Sequence, residues 1–258
     1  MDGTLLNSQG MVSNINATTI KEANIPISLV SARAPMEMVN TLKKINVNGI
    51  HVGFNGGLIY TFENNTVETL VEKPLHADEG KYLIRYIQTH FPKLSQSYYS
   101  RNNWYTCKKD KGINYSTNIT KLQATLVDIK EYLHPTFDIF KVKLITFDEQ
   151  EMKHLKTKLT DLNIAHVSIQ QSDKYTLEIT HKAAKKSKGI DYIIHRQQIN
   201  PHNTAAFGDG HNDLPMFTKV GYPIAMANAA EDVKLQAKYI TRSNDDDGVG
   251  HGIKYLLW

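Results

Sequence analysis

Residues 204–217 read TAAFGDGHNDLPMF, and their pattern sets the frame for the rest of the chain. A short apolar piece runs into Gly208, a loop follows, and NDLPMFTKV takes up a helical pattern, so the stretch reads strand, loop, helix. Asp209 and Asp213 stand four apart in that loop and supply hard oxygen ligands of the kind Mg²⁺ takes. Glycines on either side of Asp209 let backbone approach closely. Asn212 and Asp213 also suit the cap of the following helix. Outward from this stretch the alternation continues: KGIDYIIHRQQI as helix before it, then YPIAMANA as strand, AEDVKLQAK as helix and YITRSN as strand after it. Short apolar strands alternating with helices predict an α/β fold, a doubly wound, mainly parallel Rossmann-like sheet with its site at the carboxyl ends of the strands.

The amino-terminal third fits the same sheet. MDGTLL reads as the end of a buried strand entering a tight loop. SNINATTIKEAN opens at the helix cap Ser13 and predicts a helix to about Asn24. IPISLVSARAP predicts a strand and loop, MEMVNTLKKINV an amphipathic helix, and GIHVGFNGGLIYTF a strand, a Gly-Gly turn and a hairpin arm, with Asn64 and Asn65 as the next turn. Between His76 and Ser187 the texture shifts towards Tyr, Lys and Thr. Strand-like SYYSRNNWYTC, DIFKVKLITF and KYTLEIT mix there with helix-like KYLIRYIQTHF and EMKHLKTKLTDLN, which predicts an inserted α+β domain at 76–187 within a core of 1–75 and 188–258. Tyr98, Tyr99, Trp104 and Tyr105 read as a sheet face packed on helices.

At 258 residues, 41% hydrophobic and 22% charged, the chain has ordinary globular composition, and its net charge of +4 suits an anionic small molecule. Cys107 alone cannot form an internal disulfide, and the first residues lack the basic stretch and apolar run of a signal peptide, so a cytoplasmic protein is expected. No apolar run approaches the roughly 20 residues of a membrane helix. Lys188, just before Gly189 and a helix, is placed to neutralise a phosphate, while Lys182, Lys185 and Lys186 read as a solvated basic face. No nucleic-acid recognition motif accompanies that cluster, and no nucleic-acid partner is expected. Ser31 offers a hydroxyl, and the Ala32 amide an N–H, for a phosphoryl group. The same residues also fit a plain strand-to-helix turn with Pro35 at the helix start.

Taken in order, MDGTLL, VSAR, SKGI and GDGHND resemble the motifs of the haloacid dehalogenase-like phosphatases, Cof-type subfamily, whose pattern is Asp-x-Asp-Gly-Thr-Leu-Leu, a Ser or Thr, a Lys before a helix, and Gly-Asp-x-x-Asn-Asp. FNGG at 54–57, LEI at 177–179, AMANA at 225–229 and SNDDDGVG at 243–250 resemble its connecting signatures. The resemblance implies a Mg²⁺-dependent phosphatase of small phosphorylated metabolites, working through an aspartyl-phosphate, with the insert as a cap. It implies Asp2 as general acid/base and, through its carbonyl, a metal ligand, Asp209 as the side-chain metal ligand and Asp213 as support for the metal shell. Ser31, Ala32, Lys188 and Asn212 would hold the phosphoryl oxygens, with Met1 beside them at the x of the first motif. Ala32 stands where the subfamily has Gly, which would strain a left-handed backbone there. The nucleophile of the family pattern is the residue before Met1. The expectation is therefore an upstream strand ending in Asp, with these 258 residues inactive or impaired without it. The alternative is a pseudoenzyme that binds Mg²⁺ and a phosphometabolite without turnover.

Overall fold

The computed structural model describes residues 1–134 and 137–257. In chain order the helices are α1 (Asn14–Ala23), α2 (Pro35–Ile45), α3 (Ala77–His90), α4 (Lys111–Thr120), α5 (Ile129–Tyr132), α6 (Glu149–Asp161), α7 (Lys186–Gln197), α8 (Leu214–Phe217), α9 (Glu231–Lys234) and α10 (Gly248–Leu256). The strands are β1 (Gly49–Gly53), β2 (Leu58–Glu63), β3 (Thr66–Glu72), β4 (Ser95–Tyr99), β5 (Trp104–Thr106), β6 (Thr125–Leu126), β7 (Lys141–Ile145), β8 (Val167–Gln171), β9 (Thr176–His181), β10 (Ala205–Gly208), β11 (Tyr222–Ala225) and β12 (Tyr239–Ile240). The fold is α/β of Rossmann type. No helix among the described residues is long and apolar enough to cross a membrane.

Local chemistry explains most of these boundaries. Ser13 caps α1 by accepting the Asn16 N–H, and Asn24 ends it in the left-handed conformation, at φ 49°. Pro35 opens α2, where a missing N–H costs nothing. Asn64 and Asn65 both adopt positive φ, 49° and 65°, as a tight turn between β2 and β3 requires. The two helices expected after residues 211 and 230 are single turns, α8 and α9.

The chain divides into two compact units: Met1–Arg33, Met38–Leu70 and Lys185–Trp258 form one, Ala34–Glu37 and Val71–Ala184 the other. The changeovers fall at 70/71 and 184/185, a few residues before those read from the sequence. In the first unit β10, β11 and β12 run parallel, while β1 and β2 pair antiparallel with β3 beside them. The stretch Ile25–Val30, expected as a full strand, makes one ladder bridge, Val30 to Val52. It is bonded on one flank only, where the Leu29 carbonyl accepts from Val52 N–H (2.8 Å) and Ser31 N–H donates to the Val52 carbonyl (2.9 Å). Its other flank faces a cavity of about 630 Å³ lined by Ile20, Ile27, Leu29, Ile193, Phe207 and Ile253, among others. β10 borders the same cavity and, among the described residues, pairs only with β11.

The second unit carries a continuous six-stranded sheet, β6-β5-β4-β7-β9-β8, antiparallel except for β5–β6. Leu83, Ile84, Ile87, Leu155 and Leu159 of its helices pack with Val142, Leu144, Leu177 and Ile179 of its strands in one core. Tyr98, Tyr99 and Trp104 are buried, and Tyr99 stacks on Trp104 with ring centroids 5.9 Å apart.

Candidate active site

Side-chain bonds tie together four segments of the first unit: Asp2–Thr4, Ser31–Arg33, the start of α7 and the loop after β10. Asp213 is buried, and both its oxygens are engaged. Oδ1 accepts from Lys186 Nζ at 2.6 Å, and Oδ2 accepts the backbone N–H groups of Asp209 and Gly210, each at 3.1 Å. Burial alone would push its carboxyl up, but the Lys186 ammonium outweighs this and holds it below the usual carboxylate range. Asp213 thus shapes the loop and orients the lysine.

Asp209 is held differently. Its Oδ1 accepts the Thr4 hydroxyl at 2.5 Å. Burial raises its pKa above the ordinary value, and the Thr4 bond offsets only part of that. Its carboxylate lies hard against Gly3, where φ is +66° and a Cβ would come 2.2 Å from Asp209 Oδ2, so only glycine fits. Asp2 is gripped by Arg33, which donates from Nε to Oδ2 (2.8 Å) and from a terminal nitrogen to Oδ1 (2.5 Å). Partial burial opposes ionisation, yet the two Arg33 bonds win and lower the Asp2 pKa.

The lysine that joins this cluster is Lys186. Lys188, expected there, is exposed, and Lys186, expected on a solvated face, is buried in its pair with Asp213. The reason is where α7 starts. Its first residue is Lys186, and two positions further on the chain has turned roughly 200° about the helix axis, so Lys188 points elsewhere. The Phe54–Gly56 turn fixes that start: it runs through positive φ at all three residues, and a Cβ on Gly56 would fall 2.4 Å from the Lys185 carbonyl oxygen.

Ser31 is buried at the loop's root, its Oγ accepting the Arg33 N–H at 3.1 Å and its carbonyl accepting the Asn55 N–H at 2.9 Å. Ala32 does not have positive φ, so the strain expected from an alanine there does not arise. Met1 lines the cavity, and its carbonyl accepts the N–H groups of Leu5 (3.0 Å) and Leu6 (2.9 Å). Asn212 is exposed in the turn His211–Asp213.

Sequence reading gave no role to Thr4, Arg33, Asn228 or Asn244. Asn228 donates to the Gly3 carbonyl (2.8 Å) and accepts the Asn244 N–H (3.0 Å), while the Asn244 amide donates to the Leu6 carbonyl (2.9 Å). The connecting stretches AMANA and SNDDDGVG therefore staple the first loop in place. The signal was their position after strands; the bonds to Gly3 and Leu6 join residues more than 200 apart in sequence.

The carboxylates suit a hard divalent cation to different degrees. Asp209, half-buried with the Thr4 hydroxyl as its hydrogen-bond donor, is the one a cation would relieve. Asp2 and Asp213 already have cationic partners, Arg33 and Lys186. A ligand role for either requires an exchange of partners, and Asp213 acts from behind the loop as it stands.

The family model for haloacid dehalogenase-like hydrolases matches residues 1–253. A putative phosphatase of Haemophilus influenzae is 29% identical over 252 residues, covering 96% of this chain and 92% of that protein. A Bacillus subtilis protein named 5-amino-6-(5-phospho-D-ribitylamino)uracil phosphatase is 26% identical, covering 100% of this chain and 95% of its own length. A haloacid dehalogenase-like hydrolase from Bacteroides thetaiotaomicron superposes with a TM-score of 0.89 at 25% identity, covering 99% of this chain and 96% of that one.

Proposed function

Because the chain belongs to the haloacid dehalogenase-like hydrolases, we propose that it is a Mg²⁺-dependent phosphatase of small phosphorylated metabolites whose site is the cluster around Asp209. The observation that carries this reading is the buried Lys186–Asp213 pair beneath a glycine-flanked loop, beside a carboxylate raised by burial. Phosphoryl transfer asks a protein mainly to position groups and neutralise spreading negative charge, and this cluster has the parts for it. Lys186 holds a phosphoryl oxygen, and the Ala32 and Asn212 region contacts the others. Asp209 and Asp2 hold Mg²⁺, with Asp213 supporting them; the ion, when bound, supplies neutralising charge at the phosphoryl oxygens. The second unit serves as the cap that reads the leaving group.

The attacking carboxylate belongs to an Asp joined to the amine side of Met1, at the end of an apolar strand. The cavity supports this. Two strand edges, Ile25–Val30 and β10, face it, Met1 lines it, and its walls are apolar, as a buried strand of about five residues needs. In the reaction that carboxylate forms an O–P bond in line with the leaving oxygen as the P–O bond to the leaving group breaks. The proton of Asp2 goes to the leaving oxygen. Water then attacks phosphorus, Asp2 takes its proton, and phosphate departs. Arg33 keeps Asp2 ionised in the resting site, so the acid step requires Asp2 to let go of Arg33. Without the added strand the 258 residues turn over little. Hydrolysis of p-nitrophenyl phosphate with Mg²⁺ by the extended chain tests the reading: Lys186→Ala abolishes it and Lys188→Ala leaves it near the parent value. The reverse ranking would overturn the assignment.

A further inference from the structure

In the second unit three imidazoles crowd one carboxylate. His76 and Glu79 face the same way from the start of α3, His166 sits just before β8, and His181 ends β9, where it pairs with Val167. Glu79 Oε1 is 3.0 Å from His166 Nδ1, and Glu79 Oε2 is 3.9 Å from His76 Nδ1. One donor atom from each of His76, Glu79 and His166 lies within 4.8 Å of the others, the one such set among the described residues. The His76 and His166 ring centroids are 4.3 Å apart. Glu79 Oε2 is a buried oxygen with no hydrogen-bond donor, aimed into this cluster. An orphaned carboxylate oxygen facing two imidazole nitrogens is expensive unless something positive sits between them.

We propose that His76, Glu79 and His166 bind a borderline divalent cation of the Zn²⁺ type, an additional site remote in chemistry from the aspartate cluster. Two nitrogens and a carboxylate oxygen are the donor set such ions prefer, and bonds of about 2.0–2.2 Å place neighbouring donors roughly 3.3 Å apart, between the two distances observed. Mg²⁺ prefers all-oxygen surroundings and is a poor fit. A fourth position stays open to water. The bound ion fastens the first turn of α3 to the β8–β9 edge, two segments almost 90 residues apart in sequence.

His181 is not a ligand. Its Nδ1 accepts the Ala183 N–H at 2.9 Å, so the ring proton is on Nε2, which lies 3.4 Å from His76 Nε2. When His76 ligates through Nδ1, its own proton moves to Nε2, and the His181 ring must turn away. Replacing His181 therefore removes an opposing N–H and no donor.

The test is calorimetric titration of the intact chain with Zn²⁺ in excess Mg²⁺, read together with the visible spectrum of the Co²⁺ form. One ion per chain and a rise in Tm with Zn²⁺ are expected. His76→Ala, His166→Ala and Glu79→Gln each weaken binding by more than the roughly 10–100-fold that loss of a merely supporting partner costs. His181→Ala binds at least as tightly as the parent, and Asp209→Asn leaves this Zn²⁺ site unchanged. The side chains of His76 and His166 are 53% and 52% exposed, so their truncation leaves the fold intact, which circular dichroism checks. No stoichiometric binding, unchanged binding in the His76 and His166 variants, or a loss on His181→Ala as large as theirs would overturn the proposal.

Discussion

The two units hold apolar residues in different ways. In the second, six strands form one ladder and the helices close over it, leaving Leu83, Ile87, Val142, Leu144, Leu155 and Ile179 with no exposure. In the first, the segment Ile25–Val30 and β10 border a cavity of about 630 Å³ whose walls include Ile27, Leu29, Ile193 and Phe207. A ladder edge facing apolar walls leaves backbone groups without backbone partners and the walls without contacts, both of which cost stability. The loops of the proposed site nevertheless belong to the first unit, and side-chain bonds hold them in place there. Site geometry and sheet continuity are thus separable, and they respond to different substitutions.

The largest effect falls on the buried pair. Lys186→Met leaves Asp213 as an uncompensated buried charge, which costs about 3–5 kcal/mol, while Lys188→Met, on an exposed position, stays within about 0.5 kcal/mol of the parent. Urea unfolding monitored separately in each unit measures both; similar costs would mean that the site lysine has been misplaced. Next comes the core of the second unit, where Leu155→Ala at a fully buried position costs about 2–5 kcal/mol. Hydrogen exchange sharpens the contrast between the units. Amides of β7 and β9 are expected to exchange last, and those of Ile27, Ser28 and β10, on the cavity's edges, to open first. Equal protection would remove the distinction.

The smallest effect is electrostatic. Asp209 has a raised pKa, so its contribution to stability is present below the unfolded value of about 3.9 and lost as pH rises through the higher folded value. Asp213 has the opposite sign: its contribution is present above that unfolded value and lost as pH falls through its lower folded one. Metal-free Asp209→Asn is therefore slightly more stable than the parent at pH 7, the smallest change expected, whereas Asp213→Asn strands the buried Lys186 ammonium and loses about as much as Lys186→Met. Thermal melts of the two variants at pH 7 and pH 4 check the signs.

Much of this was legible in the sequence where local chemistry decides. Ser13 and Asn24 bound α1 as read, and Asn64-Asn65 makes the expected turn. The strand before Asp209 and the loop after it are also where the pattern put them. Reading failed where partners are distant or the chain lacks its usual cues. IPISLV has strand composition, but it makes a single ladder bridge, Val30 to Val52, and no continuous pairing. α10 was not anticipated because GVGHGIKYL contains three poor helix formers in its first five residues. Among Lys185, Lys186 and Lys188 no spacing rule picks the buried one; the Phe54–Gly56 turn does, from about 130 residues away. The His76, Glu79 and His166 set is equally invisible, assembled from a helix start and a strand edge.

The first unit is proposed to hold a phosphatase site over a sheet with room for one more strand ending in a nucleophile. This proposal is tested most directly by joining about five apolar residues and a final Asp to Met1, making the same extension with a final Asn, and comparing both with the 258-residue chain. Stability and Mg²⁺-dependent hydrolysis of p-nitrophenyl phosphate are measured side by side. Burying two or more apolar side chains stabilises by about 3 kcal/mol, and at this length each kcal/mol is worth roughly 2–4 °C. Both extensions are therefore expected to raise Tm by roughly 6 °C or more, and only the one ending in Asp to turn over substrate at an enzymatic rate. Equal turnover by all three chains, or no gain in Tm from either extension, would contradict the account.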